Sequence, residues 1–415
     1  MPPRPDPPAR RILLADADAF YVAVARLVDP AGAGRARLLI VGGDARGRGV
    51  VTSASYEARQ YGVHSAMPTA RALRLCPDAL VVPVPMEACV AKGREIRQAL
   101  QQFTPAVEQA SSDEFYLDMS GTERLYHDEP LAVTAARMRT AVRVATSLTV
   151  SIGGGTSKVI AKLAAGVAKP RVGDDTRTGV HIVNPGDELA FMRQFALADI
   201  HGIGPKFQER LAERGLRTVE DALRWDLPAL TWSLGRNTAN WLYHRVRGLD
   251  YAEVHAGRGA RSISRDQTFA RDITADSALA ERLHRLVDRA TSDLRHSGLR
   301  ARTVTVRLRD ADFKDRQASR TLPEPVSSER AVRTVCHELL ARLRAARRTP
   351  ARLIGVALSN LVPEDNPAQL PLLVAEKEGL QDTERDRSIS RAMDKLREKF
   401  GRGAIARGPR GRRRK

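Results

Sequence analysis

Two short apolar segments, almost 100 residues apart, each border on a pair of acidic residues. The sequence RILLA leads directly into Asp16 and Asp18, and Asp113 and Glu114 lead into the sequence FYLDM. Short apolar runs are typical of buried strands, beside which a carboxylate costs free energy unless it is paired or bound to a cation. If the two strands are neighbours, three carboxylates could hold two Mg²⁺ ions about 3.5–4 Å apart for phosphoryl transfer. Asp-x-Asp alone is also common at ordinary solvated strand ends.

Strand and helix patterns alternate from residue 11 to residue 167, which predicts an α/β core. A strand is predicted at 149–152, followed by a turn at Gly153–Gly155. The helix predicted next begins at Lys158 and is stopped by Pro170. Lys158 and Lys162 on this helix are expected to be solvated.

Beyond Pro185 the pattern becomes all-helical, and residues 249–260 are predicted to form a linker. A strand–helix–strand pattern then occurs twice. In the strand at 302–309, apolar residues alternate with Thr and Arg, including Arg307 and Arg309. An ordinary half-exposed strand has the same alternation. Together with the charge of the segment, however, it favours a sheet whose basic face lies on a phosphate backbone.

The chain carries a formal net charge of +19, and more than half of it lies in one segment. Residues 258–362 hold 22 basic and 12 acidic side chains, whereas residues 1–257 hold 32 and 28. Arg outnumbers Lys by 58 to 10, as a G+C-rich coding bias would produce, but such a bias would spread Arg evenly. The distribution therefore predicts a basic domain that binds a polyanion, followed by a polycationic tail at 401–415.

Several classes of protein are disfavoured. Three cysteines cannot form a disulfide framework, and no Cys/His pair has the spacing of a zinc site. No apolar run approaches the ~20 residues of a membrane-spanning helix. The N-terminal sequence MPPRPDPPARR lacks the apolar region of a secretory signal. We therefore expect a soluble cytoplasmic protein without a membrane partner.

Eight sequence blocks occur in the order found in Y-family translesion DNA polymerases, and they resemble the DNA polymerase IV branch in particular. The resemblance covers residues 11–400. The blocks are ILLADADAFYVAV, VVTSASYEARQYGVHSAMP, SSDEFYLDMSG, SKVIAKLAAGVAKP, GIGPK, SISRDQTF, TVTVRLRDADF and RLIGVALSNLVP.

The resemblance implies an α/β multi-domain, right-hand polymerase with α/β palm and fingers, a helical helix-hairpin-helix thumb and a βαββαβ little-finger domain. Short disordered extensions are expected at residues 1–10 and 401–415. The implied domains are the palm at 11–30 and 84–175, the fingers at 31–83, the thumb at 176–248, the linker at 249–260, the little finger at 261–362, and a clamp-binding peptide with a C-terminal helix at 363–400.

The resemblance also implies the catalytic residues. Asp16, Asp113 and Glu114 match the metal-binding carboxylates of the palm, which are the catalytic residues of the family. The backbone carbonyl of Ala17 matches a further metal ligand, so the expected cofactor is two Mg²⁺ ions per active site. Asp18 is expected to fix the local turn rather than to bind metal.

The same comparison assigns residues to the incoming dNTP. Tyr21 matches the steric gate, an aromatic ring that clashes with a ribose 2′-hydroxyl, and Phe20 lies beside it in the nucleotide site. Tyr56 and Arg59 match fingers residues that contact the triphosphate, and Lys169 matches a palm lysine that reaches it. A phenol donor and a guanidinium fork both suit phosphate oxygens.

Contacts with macromolecules follow from three further matches. Gly202, Gly204 and Lys206 match the hairpin of a helix-hairpin-helix, where backbone N–H groups approach a DNA phosphate. Arg307 and Arg309 lie on the basic face of the predicted little finger. A peptide that resembles the sliding-clamp motif comprises Gln369, Leu370, Leu372 and Leu373.

These residues predict an error-prone, template-directed polymerase that adds dNTPs to a primer 3′-hydroxyl and functions in DNA damage tolerance. We expect no proofreading activity, because no separate block of carboxylates is left for an exonuclease. We also expect a monomer. Another two-metal phosphotransferase or nuclease is one alternative, which the YEAR, steric-gate and AKP positions disfavour. A catalytically silent DNA-binding or clamp-binding accessory protein is another.

Overall fold

The computed structural model describes residues 10–170, 173, 178–257, 259–365, 382–401 and 404–405. The chain divides into two compact units, residues 1–258 and 259–415, at the linker predicted at 249–260. Within the described ranges, every helix is too short or too polar to cross a lipid bilayer.

The first unit contains the strands and helices that the alternating pattern predicts. Its described strands are β1 (Ile12–Ala17), β2 (Leu39–Gly42), β3 (Val51–Ala54), β4 (Leu80–Val82), β5 (Val107–Gln109), β6 (Glu114–Asp118), β7 (Val150–Gly155) and β8 (Val180–Ile182). Its described α-helices are α1 (Phe20–Val28), α2 (Tyr56–Gln60), α3 (Thr69–Leu75), α4 (Met86–Gln101), α5 (Leu131–Thr146), α6 (Lys158–Ala168), α7 (Glu188–Met192), α8 (Pro205–Ala212), α9 (Val219–Leu223), α10 (Leu227–Leu234) and α11 (Arg236–Arg245).

A five-stranded sheet in the order β5-β6-β1-β7-β8 forms the centre of this unit. All six residues of β1 are buried, and β1 pairs antiparallel with both β6 and β7. The register places Asp16 opposite Glu114 on one side and opposite Ser151 on the other. The edge strand β8 pairs parallel with β7, so the sheet continues past residue 175, where the palm was expected to end.

The run Gly153–Gly155 belongs to β7 and does not form the predicted turn. A Cβ atom on Gly153 would lie 1.9 Å from the backbone nitrogen of Ala165 in α6. Because these strand residues have no side chains, α6 packs directly against the strand backbone. The strand therefore requires glycine for close approach, although glycine weakens strands by propensity.

Two smaller parts complete the unit. A three-stranded sheet in the order β3-β2-β4, with α2 and α3, occupies the expected fingers region at 31–83. Helices α7 to α11 pack into one apolar core together with residues of α6, in agreement with the all-helical pattern beyond Pro185.

The segment predicted as a linker is docked on the first unit for much of its length. The Arg10 guanidinium donates to the carbonyls of Asp250 and Ala252, at 3.2 and 2.9 Å. Glu108 accepts from the backbone N–H of His255 at 2.7 Å. These polar contacts fix the chain on the unit up to residue 255.

The second unit contains the strand–helix–strand pattern twice. Its described elements are β9 (Ser262–Ile273), α12 (Asp276–His296), β10 (Leu299–Asp310), β11 (Asp315–Val326), α13 (Glu329–Ala346), β12 (Ala351–Pro363) and α14 (Glu384–Phe400). The strands form an antiparallel sheet in the order β11-β10-β12-β9. Val304, Val306 and Leu308 are fully buried against α12 and α13, which confirms the apolar face that the alternation predicts.

A nearly solvent-free network of ion pairs anchors α14 to α12 and α13. Arg295, whose side chain is 5% exposed, pairs with Glu329 at 2.9 Å and with Asp394 of α14 at 2.7 Å. Glu329, at 0% exposure, also accepts from Ser390 and Arg397 of α14. Breaking a buried pair leaves an uncompensated charge, so the network specifies where α14 docks.

The close approach of α6 to β7 gives a prediction with an internal control. Replacing Gly153 by Ala places a methyl group in space that the backbone of α6 occupies. We expect the free energy of unfolding to fall by about 1–3 kcal/mol or more. Gly166 lies in α6 with nothing within 4 Å of its potential Cβ. Gly166→Ala should therefore stabilise by about 0.5–1 kcal/mol through helix propensity. Urea unfolding of both variants checks this, and equal effects would contradict the packing argument.

Candidate active site

Two neighbouring strands bring the predicted carboxylates together. Asp16 lies near the end of β1, directly opposite Glu114 at the start of β6. The N–H of Ala17 donates to the carbonyl of Asp113 at 2.9 Å, which fixes Asp113 beside the same strand end. Residues almost 100 positions apart in sequence therefore share one site.

Each of these carboxylates already has a donor. Lys169 Nζ lies 2.7 Å from Asp16 Oδ1, and Lys162 Nζ lies 2.8 and 2.7 Å from the two oxygens of Glu114. Asp113 Oδ1 accepts from Ser111 Oγ at 2.6 Å. Burial raises the pKa of Asp16 to about 6, and the Lys169 ammonium opposes that shift.

The expectation that Lys158 and Lys162 are solvated is wrong. Lys158 is 9% exposed and its Nζ lies 2.7 Å from Glu108 Oε2, whereas Lys162 binds Glu114. Both lysines lie on the face of α6 that packs on the glycine strand, so the sheet carboxylates lie within their reach. The signal was their i, i+4 spacing, which places two cations on one face of an otherwise apolar helix.

The donor set suits a hard divalent cation, because it consists of carboxylate oxygens without imidazole or thiolate. Asp16, Asp113 and Glu114 are the residues that would hold such a cation. Within the part of the chain that the structure describes, no three acidic, His or Cys groups already form a coordinating cluster. The two lysine ammoniums neutralise Asp16 and Glu114 instead.

Asp18 has the structural contacts expected of it. Its Oδ1 accepts from Ser151 Oγ at 2.7 Å, and its N–H donates to the carbonyl of Thr149 at 3.0 Å. Both contacts tie the end of β1 to β7. Its Oδ2 is buried and has no hydrogen-bond partner among the described residues, so one acceptor next to the site is unused.

Phe20 and Tyr21 begin α1 immediately after the first acidic pair. Phe20 is buried in the core, and its ring meets the Tyr21 ring edge-on with centroids 5.3 Å apart. The Tyr21 hydroxyl lies 2.8 Å from Ser112 Oγ, one residue before Asp113. The Tyr21 ring is thereby held between the core and the loop that carries the carboxylates.

Tyr56 and Arg59 are presented by α2, which Ser55 caps through a hydrogen bond to the Ala58 N–H. The Arg59 guanidinium carbon lies 5.1 Å from the centre of the Tyr56 ring, and its Nε donates to the Ala54 carbonyl at 3.0 Å. Burial raises the pKa of Tyr56, and the negative charges of Asp18 and Asp16 raise it further.

The remaining polar group of this pair is the Tyr56 hydroxyl. It is buried and without a hydrogen-bond partner among the described residues. A buried phenol donor without a partner is costly, so this hydroxyl is available to a ligand oxygen.

The predicted hairpin glycines adjoin a groove in the helical part of the unit. Gly202 has a φ of 101°, which favours glycine, and Gly204 is the residue that caps α8. The groove has a volume of about 530 Å³. Its lining residues are Gly202, Lys206, Phe207, Arg210, Asn237, Thr238 and Trp241.

Arg307 and Arg309 lie on the face of the second-unit sheet away from its helices, but both are ion-paired there. Arg309 lies 2.8 Å and Arg307 3.1 Å from Asp315, and Arg307 also lies 3.7 Å from Asp266. Gly355 stands between Arg307 and Asp266 in the register, and its missing side chain lets them meet. The predicted clamp peptide, Gln369 to Leu373, lies outside the described residues.

Comparison with known proteins identifies relatives along most of the chain. Residues 15–166 match the model of the impB/mucB/samB family, and residues 260–372 match the model of its C-terminal domain. A protein named DNA polymerase IV from Halorhodospira halophila is 37% identical over 361 residues, which cover 87% of this chain and 98% of that protein.

Two solved structures resemble the fold. The Y-family DNA polymerase chimera Dbh-Dpo4(243-245)-Dbh has a TM-score of 0.75 at 23% identity and covers 85% of this chain and 99% of that one. The insertion ternary complex of Dbh DNA polymerase has a TM-score of 0.58 at 22% identity, with the same coverage.

The ion pair between Lys162 and Glu114 gives a prediction about cation binding. Lys162→Met removes the ammonium that competes for both Glu114 oxygens, so we expect the metal-free protein to bind Mn²⁺ about tenfold more tightly. Electron paramagnetic resonance of free Mn²⁺ measures this without turnover. Lys92→Met removes a lysine that pairs with Glu95 elsewhere in the unit and serves as the control. Unchanged Mn²⁺ affinity in Lys162→Met would show that Lys162 does not compete for the site.

Proposed function

We propose that Asp16, Asp113 and Glu114 form the catalytic centre of this chain, which belongs to the impB/mucB/samB family, and that this centre carries out DNA synthesis. The protein is a template-directed DNA polymerase of the Y-family, translesion type, and the predicted fold class is confirmed by its structural neighbours. The observation that supports the assignment is the convergence of the three carboxylates at one end of β1 and β6.

The proposed reaction uses two Mg²⁺ ions. Asp16 and Asp113 would hold both Mg²⁺ ions with the Ala17 carbonyl, and Glu114 would hold one of them. When bound, Mg²⁺ activates the primer 3′-hydroxyl and stabilises the charge that develops on the phosphoryl group being transferred. Asp18 keeps the end of β1 against β7 through Ser151, so the carboxylate of Asp16 is oriented by the sheet.

Three side chains around the carboxylates suit the triphosphate of a dNTP. Lys169 lies next to Asp16 and can exchange that carboxylate for phosphate oxygens. Arg59 presents a planar fork that binds phosphate in a bidentate manner, and Tyr56 offers its unused hydroxyl. Positive charge at this position stabilises the pyrophosphate as it leaves.

Contacts with DNA are assigned to two surfaces. The groove beside Gly202, Gly204 and Lys206 offers a backbone turn and cations for a phosphate of the duplex. On the other unit, Arg307 and Arg309 are in exposed ion pairs, which contribute little stability and can therefore be exchanged for a phosphate contact. The residues from Gln369 to Leu373 are proposed to bind a sliding clamp, and the enzyme is proposed to act as a cytoplasmic monomer.

Loss of Asp113 tests the catalytic assignment. We expect Asp113→Asn to lower Mg²⁺-dependent primer extension at least about 100-fold, since even outer-shell partners of a metal site contribute about 10–100-fold. Asp78→Asn, at an exposed position, should retain full extension. Wild-type protein that fails to extend a primer, or that cleaves the strand instead, would refute the polymerase assignment in favour of an accessory protein or a nuclease.

The steric gate is tested by sugar selection. Tyr21→Ala removes the ring beside the carboxylate loop, and we expect discrimination against ribonucleotides to fall by about 10–200-fold, the range for a steric contact in a pocket. Tyr61→Ala changes a half-exposed tyrosine after α2 and should leave discrimination unchanged. The ratio of kcat/KM for dNTP and rNTP measures the effect. An unaltered ratio in Tyr21→Ala would exclude the gate.

A further inference from the structure

The seam between α12 and α13 is built from side-chain pairs at successive levels. Asp288 pairs with Arg333 at 2.5 Å, and Arg295 pairs with Glu329 at 2.9 Å. At both levels an acidic side chain meets a basic one. Helix α14 covers these two pairs through Asp394 and Arg397. The charges of the covered part of the seam are therefore matched.

One level further along the seam, two histidine side chains meet. His284 of α12 and His337 of α13 face each other with their Nε2 atoms 2.7 Å apart and their ring centroids 4.7 Å apart. Positions 284 and 288 are one turn apart on α12, as are 333 and 337 on α13, so the imidazoles continue the same row. A single N–H between the two nitrogens holds the pair together, because both cannot donate.

The imidazole pair is accessible to solvent. They open into a cavity of about 400 Å³ that is also lined by Arg330, Arg333 and Thr334. Neither His284 nor His337 has a second hydrogen-bond partner among the residues that the structure describes. Each of these arginines has an acidic partner, because Arg333 pairs with Asp288 and Arg330 lies 3.5 Å from Asp386.

Burial and the nearby Arg333 charge lower the pKa of His284. Neutral imidazole is the form that binds metal ions, so this environment keeps a ligand available at neutral pH. A shift of the bridging hydrogen to Nδ1 of its own ring frees both Nε2 lone pairs, and no proton needs to leave the pair.

The distance between the two Nε2 atoms favours particular metal ions. Two cis nitrogens at about 2.0–2.1 Å from a square-planar or tetragonal metal are about 2.8–3.0 Å apart. The observed 2.7 Å requires a movement of only a few tenths of an ångström. Tetragonal N and O coordination is typical of Cu²⁺ and Ni²⁺, with water able to complete the shell from the open cavity.

We propose that His284 and His337 form a binding site for a divalent transition-metal ion of the Ni²⁺ and Cu²⁺ type, which links α12 to α13. The site is chemically separate from the carboxylates of the first unit, whose oxygen ligands prefer hard ions such as Mg²⁺. Its occupation adds a bond across the helices that cover the sheet of the second unit, so the ion stabilises that unit.

Calorimetric titration of the untagged, full-length protein with Ni²⁺, in excess Mg²⁺, tests the proposal. We expect binding that is weakened at least about tenfold by His284→Gln and, independently, by His337→Gln, because either change leaves one imidazole. His296→Gln is the matched control, since His296 also lies on α12 but bonds Glu398. It should leave the Ni²⁺ affinity unchanged.

A second measurement separates metal binding from a fault in folding. Ni²⁺ should raise the melting temperature of the wild type and of His296→Gln. The rise should be absent from the two seam variants, His284→Gln and His337→Gln. Melting in EDTA shows whether each variant is folded, and the two seam variants are independent of each other. Absence of Ni²⁺ binding by the wild type, or full affinity in a folded seam variant, would overturn the proposal.

Discussion

The packing of α6 on the bare backbone of β7 determines where the charges of the candidate active site lie. Gly153 leaves no room for a Cβ atom, so the helix lies close enough for Lys158 and Lys162 to reach carboxylates on β5 and β6. The same helix ends at Lys169, which meets Asp16. One close helix–strand contact therefore positions three cations along one face of the sheet.

This arrangement explains how a buried sheet tolerates several carboxylates at one strand end. Burial opposes ionisation, and the pKa of Asp16 rises to about 6 even with Lys169 in contact. Lysine is suited to such a position, because its single flexible ammonium can leave one oxygen partner for another. The charges of Asp16 and Glu114 are therefore compensated within the protein itself, and the proposed binding of a cation or a triphosphate would exchange these partners.

The sequence predicts the parts of this fold that depend on apolar patterning. The strands before Asp16 and after Asp113 and the alternation around Val304 all follow from short-range periodicity. The glycine strand was missed because glycine is usual in turns, and its role here depends on the neighbouring helix. The paired lysines and the docked linker were missed for a related reason, since their partners, Glu108 above all, are far away in sequence.

The arginine excess of the second unit has two different uses, which the net charge alone cannot separate. Arg295, Arg316 and Arg344 have side chains at most 11% exposed, and their ion pairs with Glu329, Asp310 and Asp276 hold structure together. Removing Arg295 or Arg316 would take a partner from a fully buried carboxylate, so these two arginines are committed to the fold.

Arg307 and Arg309 are about one-third exposed, and their pairing to Asp315 is screened by solvent. A phosphate can replace that carboxylate at small cost. In the proposed DNA complex, phosphate oxygens would therefore take the place of the Asp315 carboxylate beside both guanidinium groups.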